Sequence, residues 1–232
     1  MIDIKYDKTS LGYIVTKIYS NENIVEIPST HKGELVYGID GSSVPAGITK
    51  IYIPETVKHI SFEAFINAKD LNYISVDNKN TEYSSFDGIL YSKNKDILIS
   101  CPQAYPKNFF IGLDMTISIM DKAFYKVNHL EKVIFDNVTF LGLEAFAESS
   151  LKEIKITSID GDLSRDVFLN CAKLESIMIG KRWVYLTSKK SGLCDGCNKL
   201  ATITLITEDE DEVYTVPDTD LLEELLETAG WD

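Results

Sequence analysis

The chain has 232 residues, 44% of them hydrophobic and 25% charged, which suits one large or two small soluble domains. Its formal charge of −13 disfavours nucleic acid or an anionic membrane as partner, since Lys and Arg must neutralise phosphates there, and suits a basic partner or plain solubility. No stretch reaches the ~20 apolar residues of a membrane span, and four cysteines are too few for a disulfide-built scaffold.

At the start, Met1 to Ser10 lacks the basic-then-apolar pattern of a secretory signal, so the expectation from that feature is a cytoplasmic protein. Ile2–Tyr6 and Leu11–Tyr19, rich in β-branched and aromatic residues, predict a hairpin capping the fold over residues 1–23.

From about residue 24 a frame repeats: Leu-x-x-Ile-x-Ile, a loop, then a small residue beside an aromatic. Six copies keep this spacing, at Ile48-Ile51-Ile53, Leu71-Ile74-Val76, Leu130-Val133-Phe135, Leu151-Ile154-Ile156, Leu174-Ile177-Ile179 and Leu200-Ile203-Leu205. The small-aromatic pair recurs as Ala64-Phe65, Ala123-Phe124, Ala145-Phe146, Val167-Phe168 and, degenerately, Leu193-Cys194. Leu130 to Leu151 spans 21 residues, Leu151 to Leu174 spans 23, and Leu174 to Leu200 spans 26. A period of about 20–29 residues with one short apolar strand is that of leucine-rich repeats. One such coil cannot bury its own apolar edge, but stacked coils bury a continuous column.

From Leu71 to Leu130 the step is 59 residues, more than two periods, so the frame predicts an insertion over 80–102. Two β-rich runs, Asn80 to Tyr91 and Ile97 to Pro102, flank a polar Ser-Lys-Asn-Lys-Asp segment. We expect a hairpin there, with Lys93, Asn94 and Lys95 at its tip, continuing the strand sheet between Asp77 and Phe110. A degenerate coil, Phe109 to Ile119, then resumes the frame.

The strings Ile27-Pro28-Ser29, Ile53-Pro54…Val57…Ile60…Ala64-Phe65, Tyr83-Ser84-Ser85-Phe86-Asp87-Gly88-Ile89-Leu90-Tyr91 and Phe168…Cys171…Leu174 resemble the BspA-type leucine-rich repeats, over roughly residues 24–206. The resemblance implies a leucine-rich-repeat solenoid, β-rich within the α/β repeat class: a right-handed curved coil with an N-terminal hairpin cap, an inserted hairpin and a short C-terminal helix. Repeats of this type are common in bacterial and protozoan surface proteins that bind host or microbial proteins. That implies a cell-surface location if a leader was removed. The pattern is broken at Ile111-Gly112, where Ile-Pro is usual, and in the loose coil from Lys181 to Cys194.

The solenoid is expected over 24–207, followed by an acidic loop and a C-terminal helix over 208–232. The run Glu208 to Glu212 reads as a solvated loop and lacks the ligand alternation and central Gly of a calcium loop. Asp220 and Glu223 form a capping box ahead of Leu221, Leu222, Leu225 and Leu226, and Gly230 ends the helix. This helix reads as a lid on the last coil or as a docking helix.

The three histidines, His31, His59 and His129, fall in different repeats without acidic or thiol neighbours at ligand spacing, and no phosphate loop or nucleophile elbow appears. Cys194-Asp-Gly-Cys197 has the spacing of a redox motif but not its βαβ setting, and a zinc site would need a second ligand pair. In the repeat frame Cys194 takes the aromatic slot, and Cys197 takes the slot held elsewhere by Ala68, Val127, Ser149 and Cys171. Both therefore read as buried filler thiols.

No catalytic site, metal or cofactor is indicated. The candidate protein-binding surface is the outward strand face, whose alternate residues form two columns. One is Tyr52, Ser75, Ile134, Lys155, Met178 and Thr204; the other is Lys50, Tyr73, Lys132, Glu153, Ser176 and Thr202. The leading expectation is a non-enzymatic protein-binding module, monomeric by default, using this face or the inserted hairpin. The alternatives are a cytosolic acidic inhibitor or regulator of a basic partner and, third, an enzyme.

Overall fold

The computed structural model describes residues 1–159, 161–180, 194–207 and 211–215. The expected C-terminal helix, most of the coil from Lys181 to Cys194 and Leu193 of its degenerate pair lie outside the described residues. The chain opens with a hairpin of β1 (Ile2–Thr9) and β2 (Gly12–Ser20), then β3 (Ile24–Glu26), β4 (Thr30–His31) and β5 (Glu34–Ile39). The first regular coil has β6 (Lys50–Ile53) and β7 (His59–Ile60), and β8 (Tyr73–Val76) begins the next. The insertion forms β9 (Tyr83–Phe86), β10 (Ile89–Ser92) and β11 (Ile97–Ser100). The frame then continues with β12 (Phe109–Ile111), β13 (Ser118–Ile119), β14 (Lys132–Phe135), β15 (Phe140–Leu141), β16 (Glu153–Ile156), β17 (Asp162–Leu163), β18 (Ser176–Gly180), β19 (Thr202–Ile206) and β20 (Glu212–Thr215).

The coils beginning at β6, β12, β14 and β16 each contribute a longer strand to a front ladder and a two-residue strand to a back ladder. The front ladder is parallel and in register, for instance Val133↔Ile154↔Ile177↔Ile203. The inward residues of the frame are the core: Leu71, Ile74, Phe124, Val133, Phe146, Leu151, Ile154, Phe168, Leu174, Ile177 and Ile203 are all buried. The aromatic slot stacks coil on coil, with ring centroids 4.9 Å apart for Phe124–Phe146 and 5.6 Å for Phe146–Phe168. This is the leucine-rich-repeat solenoid that the spacing predicts.

The third side of each coil is a turn bonded to the next by backbone. Lys122, Phe124 and Lys126 donate N–H bonds to the carbonyls of Leu143, Ala145 and Ala147, and Glu144, Phe146 and Glu148 do so to Arg165, Val167 and Leu169. Residues four apart in three successive turns are left-handed: Lys122, Lys126, Glu144, Glu148, Asp166 and Asn170 all have φ between 52° and 58°. Such conformations are unfavourable for side chains with a Cβ. They persist because each coil's turn is fixed by its neighbour's carbonyls.

The insertion does not extend the front sheet, as the sequence led us to expect. Its strands make an antiparallel meander in which β9 pairs β10 and β10 pairs β11, and β11 then continues the back ladder beside β13. The physical reason is that Ile89, Leu90 and Tyr91 are all fully buried. Ile89 and Tyr91 face the core formed by the later coils, whereas Leu90 faces the core of the earlier ones. A strand apolar on both faces must be covered on both faces, so β10 runs as a wall between two cores. Its β9–β10 turn, Asp87-Gly88 with φ of 53° and 79°, is the two-residue form that an Asp-Gly pair favours. That turn abuts the front sheet, where the Ile74 N–H donates to the Gly88 carbonyl at 2.9 Å. The expected polar tip at Lys93 to Lys95 does join β10 and β11.

The front ladder is consequently broken into β3-β6-β8 and β12-β14-β16-β18-β19-β20, with no pairing of β8 to β12. At the N-terminal end β1 and β2 form the expected hairpin, but Leu11 sits in its turn, 61% exposed, rather than in the strand. The departure at Ile111-Gly112 has a packing cause: a Cβ at Gly112 would lie 2.3 Å from the Phe135 ring. At the far end the acidic run stops at a strand, since Glu212 begins β20, antiparallel to β19.

Asn80 anchors the insertion. Fully buried, it donates to the carbonyls of Pro54 (2.9 Å) and Val57 (2.8 Å), and its Oδ1 accepts the N–H groups of Glu82 (2.9 Å) and Tyr83 (2.8 Å). Tyr91 is the opposite case: its hydroxyl is buried with no partner among the described residues. Equilibrium denaturation should separate the two. Asn80→Ala strands several buried groups and should cost on the order of 3 kcal/mol, while Tyr91→Phe removes an unsatisfied hydroxyl and should gain about 1 kcal/mol. Equal losses for both variants would contradict this assignment.

Candidate functional site

Strand alternation turns every second front residue outward, and the register aligns these residues between coils. In the first sheet Lys50 lies beside Tyr73, and Tyr52 beside Ser75. In the second, Lys132, Glu153, Ser176 and Thr202 align, as do Ile134, Lys155, Met178 and Thr204. Tyr52 and Tyr73 are exposed and the others are half-buried. The columns thus exist within each sheet, but not as one face. The Asp87-Gly88 turn stands between Tyr73 and Lys132, where the sequence reading had them as consecutive members.

In the first patch the Lys50 ammonium lies 4.4 Å from the Tyr73 ring centroid and 4.9 Å from that of Tyr52. A hydrogen bond with Tyr52 raises its pKa above the ordinary lysine value. Tyr73 in turn packs on Gly88, where a Cβ would approach the ring to 2.8 Å. In the second patch Lys132 pairs with Glu153 at 2.6 Å, and Lys152 with Glu131 at 2.9 Å alongside. Lys155 lies between Ile134 and Met178 in its column.

Sequence reasoning missed Phe109 and Ile111, which stand in the same columns beside Lys132 and Ile134 and are 40% and 55% exposed. Ile24 and Glu26 likewise flank Lys50 and Tyr52. The alternation in Phe109-Phe110-Ile111 carried the signal, but the missing proline hid that coil from the frame.

The turn at the break is held by polar groups. Asp87 accepts hydrogen bonds from Tyr105 (2.5 Å) and Lys107 (2.6 Å). Burial works to raise its pKa, but these two bonds and the Lys107 charge hold the carboxyl below the usual carboxylate range. Burial, with the Asp87 bond, pushes the Tyr105 hydroxyl well up.

Groups that could do chemistry stand apart. His31 stacks on Tyr6 at 4.1 Å and meets Tyr13 edge-on at 4.8 Å, while His59 and His129 are exposed in other coils. A shallow notch between Phe62, Gln103, Lys122 and Tyr125 contains a cation already paired with Glu63 (3.2 Å) and Glu144 (3.8 Å). Among the described residues no three His, Cys, Asp or Glu side chains gather as metal ligands, and no helix is long and apolar enough to cross a membrane.

The cysteines are unpaired and buried. Cys171 and Cys197 occupy the same slot in successive coils, and each thiol donates at 3.0 Å to the carbonyl of the preceding coil's aromatic, Phe146 and Phe168. A hydrogen bond with Cys197, then burial, pushes the Cys171 thiol well up. For Cys197 the bond with Cys171 acts downward, but the bond with Cys194 and burial prevail and push it up to about 12. Thiolates are the reactive form, which disfavours reaction at Cys197, and Cys194 is buried, so native protein at neutral pH should resist thiol reagents at both and label fully only on unfolding. Prompt labelling of both without unfolding would revive a redox role.

Against known proteins, the model of the BspA type leucine rich repeat region matches in six copies over residues 45–110 and 105–211. No curated protein matches the sequence. Among solved structures the chain is similar to the pneumococcal vaccine antigen PcpA, at 18% identity and a TM-score of 0.61, covering 81% of this chain and 51% of that one. A leucine-rich repeat protein from Eubacterium ventriosum matches at 20% identity and a TM-score of 0.47, covering 73% and 54%. The T. pallidum leucine-rich repeat protein matches at 19% identity and a TM-score of 0.45, covering 88% and 80%. The chain spans about half the length of the first two.

Proposed function

The chain belongs to the BspA-type leucine-rich repeat family, and from that premise we propose that it is a non-enzymatic module that binds a protein partner through its front strand face. The observation that carries this reading is the in-register display of Tyr52, Tyr73, Phe109 and Ile111, all exposed, beside half-buried Ile134 and Met178 on two rigid sheets. Tyrosines and apolar anchors on ordered strands lose little conformational freedom on binding, and tyrosine is enriched among binding hot spots. Hydroxyls and lysines between them supply a polar rim.

A second reading is supported by the charge of −13: an acidic regulator that neutralises a basic target. The two differ in salt dependence, because long-range charge attraction is screened and apolar anchoring is not.

The test is photo-crosslinking from a benzoylphenylalanine placed at Tyr73 or Ile134, with Phe140 on the back ladder as control, in extracts of the source cells. One partner should be captured from both front positions and not from Phe140. Against that partner, Tyr52→Ala and Tyr73→Ala should each weaken affinity by about tenfold, with little change between low and high salt. Equal capture from Phe140 would overturn the face assignment, and a steep salt dependence would favour the acidic-regulator reading.

A further inference from the structure

We infer that β1 is a self-association edge: a second copy of the chain adds its own β1 antiparallel to the first, about a two-fold axis through Ile4. The inference goes beyond the front-face reading and does not depend on it.

At eight residues β1 is the longest edge strand among the described residues. It pairs with β2 alone, and no other backbone bond reaches Ile2 to Lys8. β2 pairs in turn with β5, whose coil ends the front ladder at β3. β1 and β2 have no front counterpart, so β1 is the outermost strand of the stack and a second stack can meet it end to end. The hairpin's bulge lies on β2, where Thr16 has no partner, and leaves β1 uninterrupted. Such an edge templates another strand unless side chains oppose it.

Here the side chains fit a second copy on both faces. Ile2, Ile4 and Tyr6 pack against the core of the earlier coils yet stay half-buried, and Tyr6 is braced by its stack on His31. On the other face exposed Asp3 and Lys5 pair with each other at 2.7 Å, and Lys5 stands opposite Lys17 of β2. A carboxylate on the open side of Lys5 would offset that like charge.

A two-fold pairing of one strand with itself is antiparallel, and hydrogen-bond parity lets only residues of the same face meet. With Ile4 at the axis, Ile2 meets Tyr6, Ile4 meets Ile4, and Asp3 meets Lys5 in both directions. Apolar groups then cover apolar groups, and the four central charges alternate in sign. The neighbouring registers fail this test. An axis at Lys5 opposes Asp3 to Asp7 and lysine to lysine, one at Asp3 opposes two aspartates, and one at Tyr6 sets Ile4 against Lys8. Like charges directly opposite are destabilising. The chain's charge of −13 does not reach this end: residues 2–20 hold three lysines and two aspartates, and charges farther away are screened over ~8 Å at physiological salt.

Sedimentation of the full chain at physiological salt should show a monomer–dimer equilibrium at concentrations up to about 100 μM, since a single strand pair lies at the low end of interface sizes. Lys5→Asp sets aspartate against Asp3 across the axis and should weaken the dimer at least about tenfold. Asp3→Lys combined with Lys5→Asp restores opposite charges in the same register and should recover the affinity to within about threefold. Ile4→Cys should link two copies under oxidised glutathione, because opposed residues lie ~4.5–5.5 Å apart, within a disulfide's reach. Lys5→Cys, diagonal to its copy at ~7–8 Å, should link at least about tenfold more slowly. A monomer throughout the concentration range, a dimer indifferent to Lys5→Asp, a double swap that stays monomeric, or equal linkage from Lys5→Cys and Ile4→Cys overturns the inference. None of these results bears on capture of a partner from Tyr73 and Ile134, so the front-face reading stands or falls separately.

Discussion

Burial of β10 on both faces is the constraint on which the rest of this molecule depends. Ile89 and Tyr91 complete the core of the later coils, and Leu90 completes that of the earlier ones. Each such side chain contributes about 1.5–3 kcal/mol when taken out of water, so exposing either face of the strand would cost more than a surface feature could offset. The hairpin is therefore drawn inward. It cannot project from the solenoid, and it cannot serve as one more strand of the front sheet, which has a solvated side. Asn80 fixes where the chain departs the regular coil, satisfying four backbone groups at once.

From that placement the surface follows. The hairpin's Asp87-Gly88 turn occupies the front of the break, held by Tyr105 and Lys107, and covers the edge of β8. It leaves β12 as an edge. A regular repeat array has ends but no interior edges; this one acquires an interior edge because a wall strand replaces direct contact between two coils. The exposed apolar side chains Phe109 and Ile111 stand at that edge.

Away from the break, the coils are tied by three sets of bonds: the front ladder, the back ladder and the turn-to-turn bonds. The last set holds non-glycine residues at positive φ in three successive coils, which local preference alone would not choose. The slot that holds Ser149, Cys171 and Cys197 shows the same dependence on the neighbour. Its residues are small because the column is tight, and the thiols donate to carbonyls one coil back.

The sequence by itself determined the repeat. A spacing of three and then two apolar residues, kept through six copies, named the inward column down to Leu71, Phe124, Phe146 and Ile203, because periodic burial imposes periodic composition. It also marked the insertion and its Asp-Gly turn, and it ordered the outward residues correctly within each sheet. Only the tertiary structure decided where the insertion goes and, with it, that Tyr73 and Lys132 stand on separate sheets. The run Ile89-Leu90-Tyr91 reads simply as a strand, and which two cores its faces would join depends on contacts from Val15 through Leu205 that no local pattern encodes. The Ile111-Gly112 departure was likewise visible but uninterpretable until the Phe135 ring, 23 residues on in the sequence, was seen to fill the space a side chain would need.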